Sequence, residues 1–385
     1  MSSTLSRFSA DVVKLTEEVY GSETPAVLEA LTKPVRTYYV RCNTLKLSAE
    51  ELVNRLQQRG LKVSEHPQVP EALGIQVEGP FEIPPADRRV VVDKHTAESV
   101  LQGANVYAPG ILNCEGLKVG EDVAVVSELG EQLATGTANM GANDILTFRK
   151  GLAVQVKHRR FTAPQVRDLP EFSEGLLYPQ SLAAMVTAHA LDPQEGEIVV
   201  DMNCSPGGKL SHISQLMHNS GKIFGFDRNT EKIGQARQTL RHLGCTNVTL
   251  GIRDTRYLHL DLANLQSDRT LIDPPCSALG LRPKVYDFST QERVNNLADY
   301  QKQFIKAGSK ATKPGGIIVY SVCTYTTQEC ERVVEFAERE CGLSVVEQKL
   351  FLASKGLALT PSASRCQRFN PNVDEIGFFI AKLQR

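Results

Sequence analysis

From about residue 167 to residue 385, short apolar, β-type runs alternate with segments of helical periodicity, and this restricts the fold more than any other feature. Residues 197–202 read as a strand ending in Asp201, 209–218 as a helix, 222–227 as a strand and 232–243 as a helix ended by Gly244. Residues 269–273 and 317–321 are further strands, separated by a long helix over 291–313 that Pro314-Gly315-Gly316 closes. Such alternation predicts a mostly parallel sheet with helices on both faces. Ligands of such sheets bind at the carboxyl ends of the strands, near the switch point. The loops after these strands are therefore where chemistry is sought.

The first 166 residues have a different character. Residues 1–88 predict a small α+β (RRM-like) domain. In it 37–41 is a strand, and Ser48 and Glu51 form a capping box ahead of a helix over 49–59 that Gly60 ends. The stretch 67–85 holds five prolines and reads as loop and short edge strands. Over 89–166, short β-branched runs at 90–92, 123–126 and 152–156 are separated by closely spaced glycines, which predicts a small β-barrel. Three domains are expected: 1–88, 89–166 and 167–385.

Composition narrows the function classes. At 41% hydrophobic and 23% charged residues the chain is ordinary globular material. There is no apolar run long enough to cross a membrane and no signal-peptide pattern at the amino terminus. The nine cysteines include no C-x-x-C pair, so neither a disulfide framework nor a zinc ribbon is expected, and no metal. A cytoplasmic, monomeric protein is the expectation. A net charge of −1 hides local asymmetry. Residues 145–167 carry Arg149, Lys150, Lys157, Arg159, Arg160 and Arg167 without an acid, whereas 115–131 hold five acids and only Lys118. A basic face of this kind fits a phosphate backbone. Tyr107 is a candidate for stacking on an unpaired base. Arg282 and Lys284 are candidates for phosphate contact near the reacting base, while Lys302, Lys306 and Lys310 fit a plain solvent stripe better.

Five motifs sit at predicted strand ends. Asn203-Cys204-Ser205-Pro206-Gly207-Gly208-Lys209 follows Asp201 and opens a helix. Its glycines would let backbone approach a ligand, and its helix end offers free N–H groups. Asp227 stands where a carboxylate can accept ribose hydroxyls, and Asp254 where one can meet an adenine amine. Asp273-Pro274-Pro275-Cys276-Ser277 brings an acid and a thiol on a proline-stiffened loop, and Ser321-Val322-Cys323-Thr324 brings a second thiol. A lone cysteine is usually a small buried hydrophobe. Two at neighbouring strand ends beside one crevice point to nucleophilic chemistry. Spacing does not decide which of the two attacks. The absence of G-x-G-x-x-G argues against a nicotinamide dehydrogenase.

Taken in order, Pro-Gly-Gly-Lys, Asp-Pro-Pro-Cys and Ser-Val-Cys-Thr, with the tail Gln367-Arg368-Phe369-Asn370-Pro371 and 375–382, resemble the Sun/Fmu-type RNA (cytosine-5) methyltransferases over residues 167–385. Gly103-Ala104-Asn105-Val106-Tyr107-Ala108-Pro109-Gly110 resembles the signature of a PUA domain, the layout of that family's tRNA-modifying subgroup. The resemblance implies a Rossmann-like α/β catalytic domain preceded by the α+β domain and a β-barrel PUA domain. It implies S-adenosylmethionine as cofactor, held by 203–209, Asp227, Asp254 and Asp273. Its substrate would be tRNA, gripped at the CCA end and acceptor stem. It also implies Cys323 as nucleophile, Cys276 as the residue that assists release, Asp273 as the acid beside the base and Lys209 as its orienting charge. DNA cytosine methyltransferases, by contrast, attack with the Pro-Cys cysteine, which would be Cys276. Ribosomal or messenger RNA as substrate, or an inactive RNA-binding homologue, are the alternatives. The chain departs from the family in reading Asn-Cys-Ser-Pro for Cys-Ala-Ala-Pro and Pro-Pro-Cys-Ser-Ala for Ala-Pro-Cys-Ser-Gly.

Overall fold

The strand-and-helix half of the chain builds a nine-stranded sheet, in a computed structural model that describes residues 2–385. Strands run in the order Val248–Ile252, Lys222–Asp227, Ile198–Asp201, Ser267–Ile272, Thr312–Val322, Phe378–Gln384, Gln367–Phe369 and Ser354–Lys355, with Ser344–Val345 beside Phe378–Gln384. The first five are parallel, and Phe378–Gln384 is antiparallel to its neighbour. The chain order reverses between Ile198–Asp201 and Ser267–Ile272, which sets the switch point between those two strands. Val199, Val200, Leu271, Ile272, Ile318 and Val319 are wholly buried, as strands covered on both faces must be.

The first domain is a four-stranded antiparallel sheet in the order Leu177–Pro179, Thr37–Cys42, Val69–Gln76, Val63–His66. The helix Ala49–Gln58 lies on it, with Leu52 and Leu56 buried against Val40, Leu73 and Leu177. Ser48 Oγ caps that helix at Glu51 N, 3.1 Å away, but Glu51 turns outward to Arg55, so only half of the expected capping box forms. Two expectations are corrected here. The proline-rich stretch 67–85 contains Val69–Gln76, an inner strand of the sheet. Pro70 is tolerated because it lies near the strand's start, beside a register break and outside its pairing with Thr37–Cys42. The second correction concerns the boundary at residue 167. Leu177–Pro179 completes the first sheet, so the barrel is inserted within the first domain rather than following it.

The barrel is a six-stranded sheet in the order Val106–Tyr107, Leu152–Arg159, Gln132–Ala138, Asp122–Ser127, Arg88–Val92, Ile111–Asn113. Several contacts tie the domains together, two of them close to the strand-end motifs. Glu71 Oε1 lies 2.5 Å from His189 Nε2 and 2.8 Å from His212 Nε2, joining the first sheet to two helices of the catalytic domain. The leading helices Ala10–Tyr20 and Thr24–Leu31 bury Val12, Leu15, Val27 and Leu31 against Leu279 and Tyr325, which lie just beyond Cys276 and Cys323. Among the described residues no helix is long and apolar enough to cross a membrane.

Candidate active site

Asp201 closes its strand fully buried, and burial pushes its carboxyl up to about 7 against the pull of the Asn203 N–H. The loop it starts turns back into the helix Gly208–Leu216 through Gly207, at φ +103°. The glycines answer to packing rather than to an approaching ligand. A Cβ on Gly207 would meet Ala236 and Thr239 at 3.2–3.3 Å, and one on Gly208 would lie 2.9 Å from the Tyr178 ring. Cys204 turns into the apolar core, where burial raises its thiol, so its side chain is no ligand contact. Asn203 and Ser205 line the crevice. Asn203 Oδ1 is buried there without a hydrogen-bond partner among the described residues.

The crevice is a cavity of about 310 Å³ at the ends of the strands that finish in Asp201, Asp227, Ile252, Ile272 and Val322. Asp227, Asp254, Asp273, Cys276 and Cys323 all line it, so the structure brings together the acids and thiols singled out from the sequence. A somewhat larger hollow, about 420 Å³ between Lys33, Arg36, Phe161 and Arg282, contains none of these groups. Asp254 is held by Arg256, whose Nε and Nη2 donate to it at 2.9 and 2.5 Å, and the carboxyl stays below its ordinary value. Arg256 also covers the Tyr300 ring at 4.8 Å. Tyr300 and Phe304, from the helix Gln291–Ala311, form the crevice's apolar wall; sequence reasoning missed them because they look like ordinary helix-face residues.

The two thiols meet. Cys276 Sγ and Cys323 Sγ are 3.2 Å apart, on adjacent parallel strands' ends. Their hydrogen bond splits their acidities. Cys276 is pushed well above the ordinary thiol value, first by that bond and then by burial. Cys323, the acceptor, is held below it. The pair therefore suits a Cys276 thiol that donates to Cys323 and leaves Cys323 the more acidic of the two. Lys209 Nζ donates to Asp273 Oδ2 at 2.6 Å, and Ser321 Oγ donates to Asp273 Oδ1 at 3.2 Å. The Asp273 carboxylate is thus fixed in place beside Cys323, with a cation behind it.

The proposed RNA-contact residues fare differently. Lys284 is buried, 6% exposed, and donates to Asp287 Oδ2 and the Ala278 carbonyl. Arg282 donates to the carbonyls of Lys33, Pro34, Pro371 and Glu375. Both expectations are corrected: these cations staple the loop beyond Cys276 to its neighbours and do not face a phosphate. In the barrel, Arg149 donates to the carbonyls of Pro109 and Ile111, and Arg159 to those of Gly103 and Val156. Lys157 is 3.4 Å from Asp122, and Arg160 3.5 Å from Glu131. Lys150 is exposed, and Tyr107 is 57% exposed.

Comparison with known proteins sets this geometry among relatives. The family described as 16S rRNA methyltransferase RsmB/F matches residues 188–384, the PUA domain family matches 88–160, and the ferredoxin-like domain of RsmF/B-like methyltransferases matches 12–82. A tRNA (cytosine(72)-C(5))-methyltransferase of Pyrococcus horikoshii is 37% identical over 99% of this chain and 98% of its own. The human tRNA (cytosine(72)-C(5))-methyltransferase NSUN6 is 28% identical over 92% of this chain and 90% of its own. A crystal structure of NSun6 from Pyrococcus horikoshii with SFG superposes with a TM-score of 0.92 at 38% identity, covering 99% of each chain.

Proposed function

The chain belongs to the RsmB/F methyltransferase family and carries a PUA domain within its first domain, and on that premise we propose that it methylates carbon 5 of a cytosine in the acceptor stem of tRNA, beside the CCA end, with S-adenosylmethionine as methyl donor. The observation that carries the chemistry is the pair of thiols 3.2 Å apart, one acidified by the other, beside a lysine-held carboxylate. The substrate follows from relatives of nearly full-length similarity whose described target is cytosine 72 of tRNA. The cofactor follows from the neighbour crystallised with SFG, an analogue of S-adenosylmethionine.

The crevice fits that cofactor. Asp227 offers a carboxylate for ribose hydroxyls, Asp254 for the adenine amine, and the orphaned Asn203 Oδ1 takes a further donor, while Tyr300 and Phe304 supply an apolar wall. When bound, the cofactor supplies an electrophilic methyl group on a sulfonium to carbon 5. Cys323, as thiolate, adds to carbon 6 of the ring, and the C5=C6 electron pair becomes available at carbon 5. A proton relayed from water through Asp273 is added at ring nitrogen 3 as electron density builds there and leaves by the same route on release, while the Lys209 ammonium offsets the charge. Cys276, having released its own proton to water, takes the proton from carbon 5. The pair left by that C–H bond restores C5=C6 and expels Cys323 as thiolate.

On this reading the enzyme works as a monomer in the cytoplasm. One chain supplies every group named, and all nine cysteines are free thiols, as a reducing compartment keeps them. The test is methyl transfer to a tRNA transcript with and without its CCA tail, with the product mapped by bisulfite sequencing. A 5-methylcytosine in the acceptor stem that depends on the tail is the expected result. Equal transfer without the tail, or preference for a ribosomal RNA fragment, would refute the substrate assignment and leave the chemistry standing.

A further inference from the structure

Behind the two thiols lies a carboxylate that the reaction as written leaves unused. Glu329 is fully buried, six residues beyond Cys323, and among the described residues no cation pairs with it. Four neutral donors surround it. Its Oε1 accepts from Ser277 N at 2.8 Å and Gln301 Nε2 at 2.9 Å, and its Oε2 from Ser277 Oγ at 2.5 Å and Thr326 Oγ1 at 3.1 Å. Gln301 Nε2 also donates to the Pro275 carbonyl at 3.0 Å, so the residues on both sides of Cys276 are tied to one network. Ser277 Oγ lies 2.9 Å from Thr324 Oγ1, the residue after Cys323. Tyr320 OH closes the network, its one hydrogen shared between the Glu329 carbonyl at 2.6 Å and Gln301 Oε1 at 2.9 Å.

A buried charge without a counter-ion is costly, even when hydrogen-bonded. Only an acceptor-only group satisfies four donors at once; an amide would turn its own N–H hydrogens on some of them. The position is also electrostatically chosen. The groups around Glu329 that can lose a proton are Cys276, Cys323, Tyr320 and Cys330, and its negative charge opposes ionisation of each. Lys209 bears on Cys323 and offsets that effect there. The same carboxylate thus fixes the loop, and its charge adds, after the Cys323 hydrogen bond and burial, to what holds the resting Cys276 as a thiol.

We infer that Glu329 is a positioning residue for Cys276: it holds that thiol over Cys323 and prevents it from competing as a nucleophile, so that it serves release alone. The inference rests on the assignment of Cys323 to attack and Cys276 to release.

Glu329→Gln tests it with a tRNA transcript carrying its CCA end. Turnover is expected to fall about tenfold, as for a displaced proton-transfer group, while the protein–RNA adduct forms at nearly its former rate and accumulates. A second readout isolates the charge. In a Cys323→Ala background, Glu329→Gln should move the iodoacetamide alkylation profile of Cys276 to lower pH. Equal slowing of adduct formation and release, or an unmoved profile, overturns the inference. If Glu329→Gln does not fold, Ser277→Ala keeps the charge and removes the hydroxyl contacts, and release at the wild-type rate in that variant overturns it equally. Should Cys276→Ala trap no adduct, the thiol assignment falls, and the alkylation profile still decides whether Glu329 governs Cys276.

Discussion

The crevice and the barrel treat their charged side chains in opposite ways. In the crevice Asp227, Asp254, Asp273 and the two thiols line open volume, and the partners of Asp254, Asp273 and the thiols are side chains set around that same crevice. In the barrel, Arg149 and Arg159 are spent on backbone carbonyls of the barrel itself. A motif at a strand end specifies atoms, because the strand aims them. A run of basic residues specifies only composition, and a guanidinium with five donors readily satisfies stranded carbonyls instead of a ligand. The comparison therefore predicts that substitutions in the crevice change chemistry, and that substitutions among the barrel's arginines change stability.

The sharpest break falls between the thiols. Cys323→Ala should abolish both methyl transfer and the covalent adduct, a loss of at least about 10⁴-fold for a missing nucleophile. Cys276→Ala should also stop turnover but leave RNA attached, visible as a band that survives denaturing electrophoresis. A trapped adduct with Cys323→Ala would exchange the two roles. The acidities make a related expectation without RNA. Cys323 is held below, and Cys276 well above, the ordinary thiol value. As pH rises Cys323 becomes thiolate first, so iodoacetamide should label it ahead of Cys276 at neutral pH. Peptide mapping that shows Cys276 labelled first would contradict the hydrogen-bond polarity.

A smaller effect is expected one bond further out. Lys209→Met leaves the Asp273 carboxylate without its 2.6 Å partner in a half-buried setting. Turnover should drop about 100-fold, within the range for a misplaced acid–base group, and Lys209→Arg, which keeps the cation, should recover part of it. Turnover at the wild-type rate in Lys209→Met would show that Lys209 acts elsewhere.

The same contrast explains how much was legible in the sequence. The order of the strand-end motifs located the crevice, since Asp201, Asp227, Asp273 and Cys323 each sit at or just beyond a strand whose apolar run is plain in the chain. The three residues of Leu177–Pro179 show no period, and nothing local announces that they complete a sheet begun at Thr37. Pro70 disguised an inner strand because proline usually marks an edge. Arg282 and Lys284 looked like phosphate ligands because they follow the Cys276 loop, but only the fold reveals the Pro34 and Pro371 carbonyls beside Arg282 and the Asp287 carboxylate beside Lys284. Glu329 escaped notice because a lone glutamate before a helix resembles any solvent-facing acid until its burial is known.

The mildest prediction divides the barrel's own cations. Lys150 is exposed and Lys157 pairs with the exposed Asp122, so Lys150→Glu with Lys157→Glu should weaken tRNA binding without lowering the melting temperature. If both meet phosphates, the slope of log Kd against log salt should flatten by about 1.8 for duplex contacts. Arg149→Ala should do the reverse. It removes two hydrogen bonds from a charged donor to the carbonyls of Pro109 and Ile111 beside the exposed Tyr107, at a cost of about 1–3 kcal/mol in stability. The salt slope should stay where it was, because a guanidinium already engaged with protein releases no counterions from RNA. A flattened slope in Arg149→Ala with unchanged melting would erase the distinction between crevice and barrel, since the arginine would then be reading phosphate after all.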